Sequence, residues 1–337
     1  MPTILIATPL YPPDVGGPSY YAKHLASALE AYSHRTRIAV FSRWSRLPSV
    51  IRHVAYFFGV LGRVRGASCI VILDAFSAAL PAVLVGKITG TRTILRVSGD
   101  FLWERFIEQT GSAIPFSRFY ESRSLWSWKD RVLFYLVRFV LRRADGLVFQ
   151  NEWQRRIFAD AYGLLATPSR VIRNCFLGVS DAGDAARKNF LWAGRDIRIK
   201  NRPRLLDAFK RVQQKDPSVT LETYTDMPQK ELFTRMKNAY AIIVPSISEM
   251  NPNLILEGLA FGKPFICTKE TGVSEVVSGL GIFVDPLDTN AITDAVIAMA
   301  QPETYRQFRD TIRAFSYRHT YADIAGEFME FYRSIPI

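Results

Sequence analysis

Phe190-Leu191-Trp192-Ala193 is a short apolar run that breaks at Gly194-Arg195-Asp196-Ile197-Arg198-Ile199-Lys200-Asn201 and gives way to a helical pattern over 201–214. An apolar run of strand length followed by a helical period is the βα unit of an open parallel sheet, whose strands are covered on both faces. The same alternation extends outward in both directions. After it, strands are expected near 219–223, 241–245, 264–268 and 281–284, with helices at 229–237, 252–261, 274–278, 288–300, 302–315 and 321–333. Before it, strands are expected near 3–8, 36–42, 69–73, 93–97 and 146–150, with helices at 19–31, 48–65, 76–89, 130–143 and 151–161. The pattern predicts an α/β chain of two doubly wound sheets with a cleft between the carboxyl ends of their strands, where ligands bind. The break between them is expected near 175–188, where Gly178, Ser180, Asp181, Gly183 and Asp184 cluster.

A chain of 337 residues is long for one core, and 48% apolar residues exclude a disordered polypeptide. Three widely spaced cysteines (69, 175 and 267) form neither a disulfide framework nor a zinc site, which fits a reducing cytosol. The N-terminal stretch lacks a basic n-region and breaks at Pro9, Pro12 and Pro13, unlike a signal peptide. The longest apolar stretches, such as Val132–Leu141, fall far short of the roughly 20 residues a membrane span needs.

The charge is unevenly placed. Residues 1–175 hold 23 Lys+Arg against 11 Asp+Glu, whereas residues 176–337 hold 20 of each. All of the formal +12 therefore belongs to the first half, which points to an acidic partner there. Two segments concentrate it: 47–65, an amphipathic helix with basic flanks, and 116–143, where aromatic side chains alternate with Arg and Lys. That mixture suits an anionic membrane surface, and equally a helix packed on a sheet. No zinc-finger, RNP-like or helix-turn-helix pattern accompanies the charge, so nucleic acid is not expected.

Three loops that follow strands carry the chemistry. In Tyr11-Pro12-Pro13-Asp14-Val15-Gly16-Gly17, the paired glycines allow close backbone approach just before a helix N-terminus. In the second loop, Arg195 and Lys200 suit a diphosphate, Arg as a bidentate fork and Lys as a point charge. In the third, Glu249 precedes Asn251-Pro252-Asn253-Leu254, whose amides open a helix, and Glu257 falls within the apolar run 254–261, where a carboxylate needs a partner.

The third segment, from Pro245-Ser246 through Glu249 and Glu257-Gly258-Leu259-Ala260-Phe261-Gly262-Lys263-Pro264, resembles the E-x7-E signature of retaining GT-B glycosyltransferases, specifically glycosyltransferase family four. The Gly-Arg-x4-Lys-Asn loop, the P-P-x-x-G-G loop, and the stretches Gly272–Val277 and Gly281–Pro286 match in order, so the resemblance spans nearly the whole chain. It implies two Rossmann-like domains, an acceptor-binding one at 1–178 and a nucleotide-sugar-binding one at 179–320, with a C-terminal helix at 321–337 that packs back on the N-terminal domain. It implies that Arg195 and Lys200 bind the donor diphosphate, that Glu249 meets hydroxyls of the donor sugar, and that Asn251, Pro252, Asn253 and Leu254 support sugar and phosphate. Glu257 would take the ribose hydroxyls, and Gly16 and Gly17 would let their loop close on the diphosphate. No D-x-D pair occurs in the chain, so no metal and no other cofactor is expected.

The implied reaction moves a hexose-type sugar, with retention, from a UDP- or GDP-linked donor to a saccharide or polyprenyl-diphosphate-linked acceptor in cell-surface polysaccharide or glycolipid synthesis. The expected location is cytoplasmic or peripheral on the inner face of the membrane. Two features depart from the family pattern. Where many relatives carry a histidine, this chain reads Arg96-Val97-Ser98-Gly99-Asp100, which puts Asp100 in position to contact donor or acceptor. Only about 20 residues separate the strand near 221–224 from Pro245, so the base-framing region is short. A nucleotide-sugar epimerase and a non-catalytic nucleotide-sugar- or RNA-binding protein are the competing readings.

Overall fold

The computed structural model describes residues 2–14, 16–180, 183, 185–225 and 227–336. In chain order the first half contains β1 (Thr3–Thr8), α1 (Gly17–Ala31), β2 (Arg35–Val40), α2 (Ser49–Val64), β3 (Ala67–Ile72), α3 (Ala79–Thr89), β4 (Arg92–Arg96), α4 (Phe101–Thr110), α5 (Phe116–Phe119), α6 (Trp128–Arg143), β5 (Gly146–Phe149), α7 (Glu152–Tyr162) and β6 (Ser169–Val171). The second half contains β7 (Asn189–Ala193), α8 (Arg202–Lys215), β8 (Thr220–Tyr224), α9 (Gln229–Asn238), β9 (Ala241–Val244), α10 (Asn253–Ala260), β10 (Phe265–Thr268), α11 (Ser274–Val277), β11 (Gly281–Val284), α12 (Thr289–Met299), α13 (Pro302–Arg313) and α14 (Tyr321–Ser334).

The strands form two sheets, in the orders β2-β1-β3-β4-β5-β6 and β11-β10-β9-β7-β8, and every pairing within them is parallel. Burial on both faces explains the near-continuous apolar strands: all six residues of β1 are buried, as are all four of β5, β9 and β10. This is the α/β, doubly wound, two-sheet architecture expected from the sequence. Strand β6 was not expected; it is three partly buried residues with no apolar run.

Compact packing divides the chain into two units, residues 1–102, 124–173 and 320–337 in one, and 103–123 and 174–319 in the other. The division differs from boundaries at 178 and 320 in two ways. Residues 174–178 join the second unit because Phe176 sits in its core with Leu191, Ile242 and Ile312, and pairs in antiparallel fashion with His319. Residues 103–123 join it too: Trp103, Phe106, Phe116 and Phe119 are buried and packed ring against ring, and the Phe116 N–H donates to Ser248 Oγ at 2.9 Å. Asp181 and Asp184, which the sequence placed at the break, lie outside the described residues.

Helix α14 returns to the first unit, as expected. A capping box between Thr320 and Asp323 starts it. It packs against α1, and the Tyr332 hydroxyl donates to the Ser68 carbonyl at 3.1 Å.

In the second unit α10 lies unusually close to β9. A Cβ at Gly258 would stand 2.3 Å from Ile242 Cγ1, so only glycine permits the approach. Gly258→Val is expected to force α10 off the sheet and cost about 1–3 kcal/mol; a thermal or urea unfolding curve superimposing on that of the unmodified chain would contradict this packing.

Candidate functional site

In each sheet the second strand lies on the opposite side of the first strand from the third, which makes a topological switch point, the position where doubly wound sheets bind ligands beyond the carboxyl ends of their strands. In the second unit the switch lies between β7 and β9. The loops that leave these two strands are 194–201 and 245–252, the ones that carry Arg195, Lys200 and Glu249.

The first of these loops is built around Asn201. It adopts a left-handed conformation (φ 57°), which asparagine tolerates better than most residues. Its buried amide Nδ2 donates to the carbonyls of Pro245 (2.9 Å) and Pro286 (2.7 Å), tying together the loops after β7, β9 and β11. The Ile247 N–H donates to the Ile199 carbonyl at 2.8 Å, a second tie between the loops after β7 and β9.

This stitching sets Lys200 against Glu249. Lys200 Nζ lies 2.5 Å from Glu249 Oε1, and the Ser246 hydroxyl donates to the same oxygen at 2.7 Å. The side chains are 22% and 15% exposed, sheltered enough to strengthen the charge interaction yet open to a ligand. Both bonds fall on Oε1, which leaves Oε2 available to an incoming donor hydrogen. The Glu249 N–H donates to the Glu270 carbonyl, fixing the backbone beneath it.

Arg195 stands on the same loop but is exposed, and its guanidinium makes no ion pair among the described residues. Its neighbour Asp196 pairs instead with Arg202 at 3.0 Å. The structure thus brings Lys200 and Glu249 into contact and leaves Arg195 free on the surface of the loop.

Pro252 caps α10, and Asn253 and Leu254 open it, so their N–H groups have no acceptor within the helix. The Ile255 N–H donates to the Pro252 carbonyl, and Asn251 is half-buried in the preceding loop. Glu257 lies farther along α10. Burial pushes its carboxyl up to about 7, against the opposing pull of a long 3.4 Å hydrogen bond from Gln229 Nε2 at the start of α9.

The remaining sequence candidates belong to the other unit. Gly16 caps α1 with φ 143°, a conformation that needs glycine, and Gly17 is the first helical residue. Asp100 is 2% exposed and engaged inside the protein. The chain before it is pinned by Gln150 and Gln154, whose amides donate to the Ser98 and Val97 carbonyls at 2.9 and 3.0 Å.

Several supporting residues were not picked out from the sequence. Asn201 and Ser246 lie inside motifs that were legible, and an asparagine directly before a helix after a basic loop was the available signal. Glu108 gave none. It sits 91 positions from Ile199, yet its Oε1 accepts the Ile199 N–H at 3.3 Å, so segment 103–123 braces the β7 loop through Glu108 and the β9 loop through Ser248. Among the described residues no group of three or more His, Cys, Asp or Glu is placed to hold a metal ion.

Residues 189–301, which contain both loops, match the family described as Glycosyl transferases group 1. Over 81 residues, 24% of this chain, the sequence is 30% identical to the O-antigen chain mannosyltransferase B of Escherichia coli, a match that spans only 21% of that protein's length. Among solved structures, a sucrose-phosphate synthase from Thermosynechococcus elongatus aligns with a TM-score of 0.72 at 16% identity, covering 98% of each chain. The Anabaena protein HepE, solved in complex with UDP, aligns at 0.67 and 13% identity over 99% of this chain and 100% of its own. WaaG, a glycosyltransferase involved in lipopolysaccharide biosynthesis, aligns at 0.70 and 12% identity over 98% and 100%.

Glu257 carries a pH signature. A carboxyl raised from 4.5 to about 7 in the fold holds a proton that the unfolded chain has lost, so its contribution to stability falls as pH rises through that window and is flat above it. Glu257→Gln is therefore expected to gain stability relative to the unmodified chain between pH 5 and about pH 8. A difference in unfolding midpoint that does not change with pH would contradict the burial of this group. Residues 189–301 are thus similar to the glycosyltransferases of group 1, and the chain as a whole shares the two-sheet GT-B fold of the solved structures.

Proposed function

We propose that the protein is a retaining glycosyltransferase that takes a hexose-type sugar from a UDP- or GDP-linked donor and passes it to a saccharide or polyprenyl-diphosphate-linked acceptor. The observation that carries this reading is the Lys200–Glu249 pair at the switch point of the second sheet. A cation and a carboxylate in contact at the ends of adjacent strands can divide the two parts of an activated sugar between them. Lys200 takes the diphosphate, and Glu249 accepts hydrogen bonds from sugar hydroxyls.

In the reaction the bond between the anomeric carbon and the diphosphate oxygen breaks, and its electron pair stays with the diphosphate. Lys200, already fixed by Glu249 and by the loop stitched at Asn201, meets that growing negative charge without reorganising. Arg195, exposed and unpaired, is free to fold onto the same phosphates as a bidentate fork. The free N–H groups of Asn253 and Leu254 at the start of α10 add partial positive charge. The acceptor hydroxyl bonds to the anomeric carbon from the face the diphosphate leaves, and its proton passes to the departing phosphate oxygen, so configuration is retained. None of these steps asks for a metal ion. Glu257, half-buried on α10, receives the ribose hydroxyls.

The expected result of a thermal-shift screen is a rise in midpoint with UDP or GDP and their sugars; ligand at a hundred times its Kd contributes about 2.7 kcal/mol. Lys200→Ala is expected to lower kcat by on the order of a hundredfold or more with the fold intact. Nucleotides that leave the midpoint unmoved, together with a donor that is consumed equally with and without acceptor, would overturn the reading.

A further inference from the structure

The face of the first unit formed by α2, α3 and α6 takes no part in the donor site, and we propose that it docks the protein on an anionic lipid bilayer. Helix α3 packs between α2 and α6. Each outer helix is apolar on two sides. The inner stripe of α2 is Tyr56, Val60 and Val64, and that of α6 includes Leu133, Val137 and Val140; all are buried. A second stripe on each helix faces solvent. On α2 it runs through Val50, Val54 and Phe58 (62% exposed), and on α6 through Trp128 (70%), Val132 and Tyr135, with Ile88 (69%) on α3 between them. Spacings of three and four residues align each stripe along its helix. An apolar stripe left over after the core is satisfied marks a surface that meets a second partner.

Charge identifies that partner. Residues 41–65 contain five arginines and no carboxylate. The only acidic residue of α6, Asp130, is buried in a capping box with Ser127. At the far end of α6, Arg138, Arg142 and Arg143 surround an open pocket of about 570 Å³ completed by Tyr135 and Phe139. Three guanidinium groups beside two rings form a receptor for a lipid phosphate, with the rings at headgroup depth and the aliphatic stripe below them. A second copy of this chain would bring the same cations face to face. A nucleic acid would use the cations but gain nothing from Val50, Val54, Ile88 and Val132. No helix among the described residues is long and apolar enough to cross a membrane, so the contact is one of lying on the surface.

This inference does not depend on the transfer reaction. Flotation of the full chain with vesicles tests it without substrate, and loss of one reading leaves the other standing. The expected result is flotation with equimolar phosphatidylcholine and phosphatidylglycerol, little with phosphatidylcholine alone, and release by added salt. Removing one cation near such a surface lowers partitioning by about fivefold, so the double variant Arg142→Ala/Arg143→Ala is expected to bind some twentyfold or more weakly. Phe58→Asp/Tyr135→Asp is expected to abolish flotation. All four side chains are exposed, and an unchanged unfolding midpoint without lipid confirms that each variant folds. Equal flotation with neutral and anionic vesicles, variants that float like the unmodified chain, or lipid-free dimerisation lost in the same variants would each overturn the proposal.

Discussion

The contact between Lys200 and Glu249 is the interaction on which the proposed donor site in the second unit rests. A lysine and a glutamate sheltered to this degree forfeit part of their hydration, and only close, well-satisfied geometry returns it. Here the geometry comes from the Ser246 hydroxyl on the same carboxylate oxygen and from Asn201, whose amide joins three strand-end loops. The pair therefore sits on a rigid platform. On the proposed reading, an arriving phosphate meets a cation already held on a fixed loop, and the carboxylate that holds it turns toward a hydroxyl.

If both proposals hold, the two halves of the chain divide the labour along the same line as the charge. The second half, electrically balanced, contains the paired charges, the half-buried Glu257 and the close approach at Gly258. The first half, with all of the excess, carries Arg52, Arg63, Arg138, Arg142 and Arg143 together with its surplus apolar stripes on the helices α2, α3 and α6. Binding an anion in a sheltered loop and resting on an anionic plane need different electrostatics. The first needs one or two fixed charges. The second needs many mobile ones and no carboxylates among them.

Much of this was legible in the residues. Strands β1 and β11 read at their observed limits, and β7 to within one residue. Lys200 and Glu249 were legible because each follows a strand within a recognisable motif. The supports were not, because they act across long separations: Glu108 on Ile199, and Phe116 on Ser248, join residues 91 and 132 positions apart. The assignment of 103–123 was hidden for the same reason. Its aromatic residues announce a core without saying whose core it is. At Asp100 the sequence shows a carboxylate at a strand end, and the fold buries it.

The way these segments interleave has a consequence for biogenesis. The second unit needs residues 103–123 from the first half, and the first unit is closed by residues 320–337. Neither body can finish folding while the ribosome is still adding the chain between them. The rings at 103, 106, 116 and 119 are made before any strand of the unit they join. A nascent chain of this kind is at its most vulnerable midway through translation, when it carries parts of both units and has completed neither.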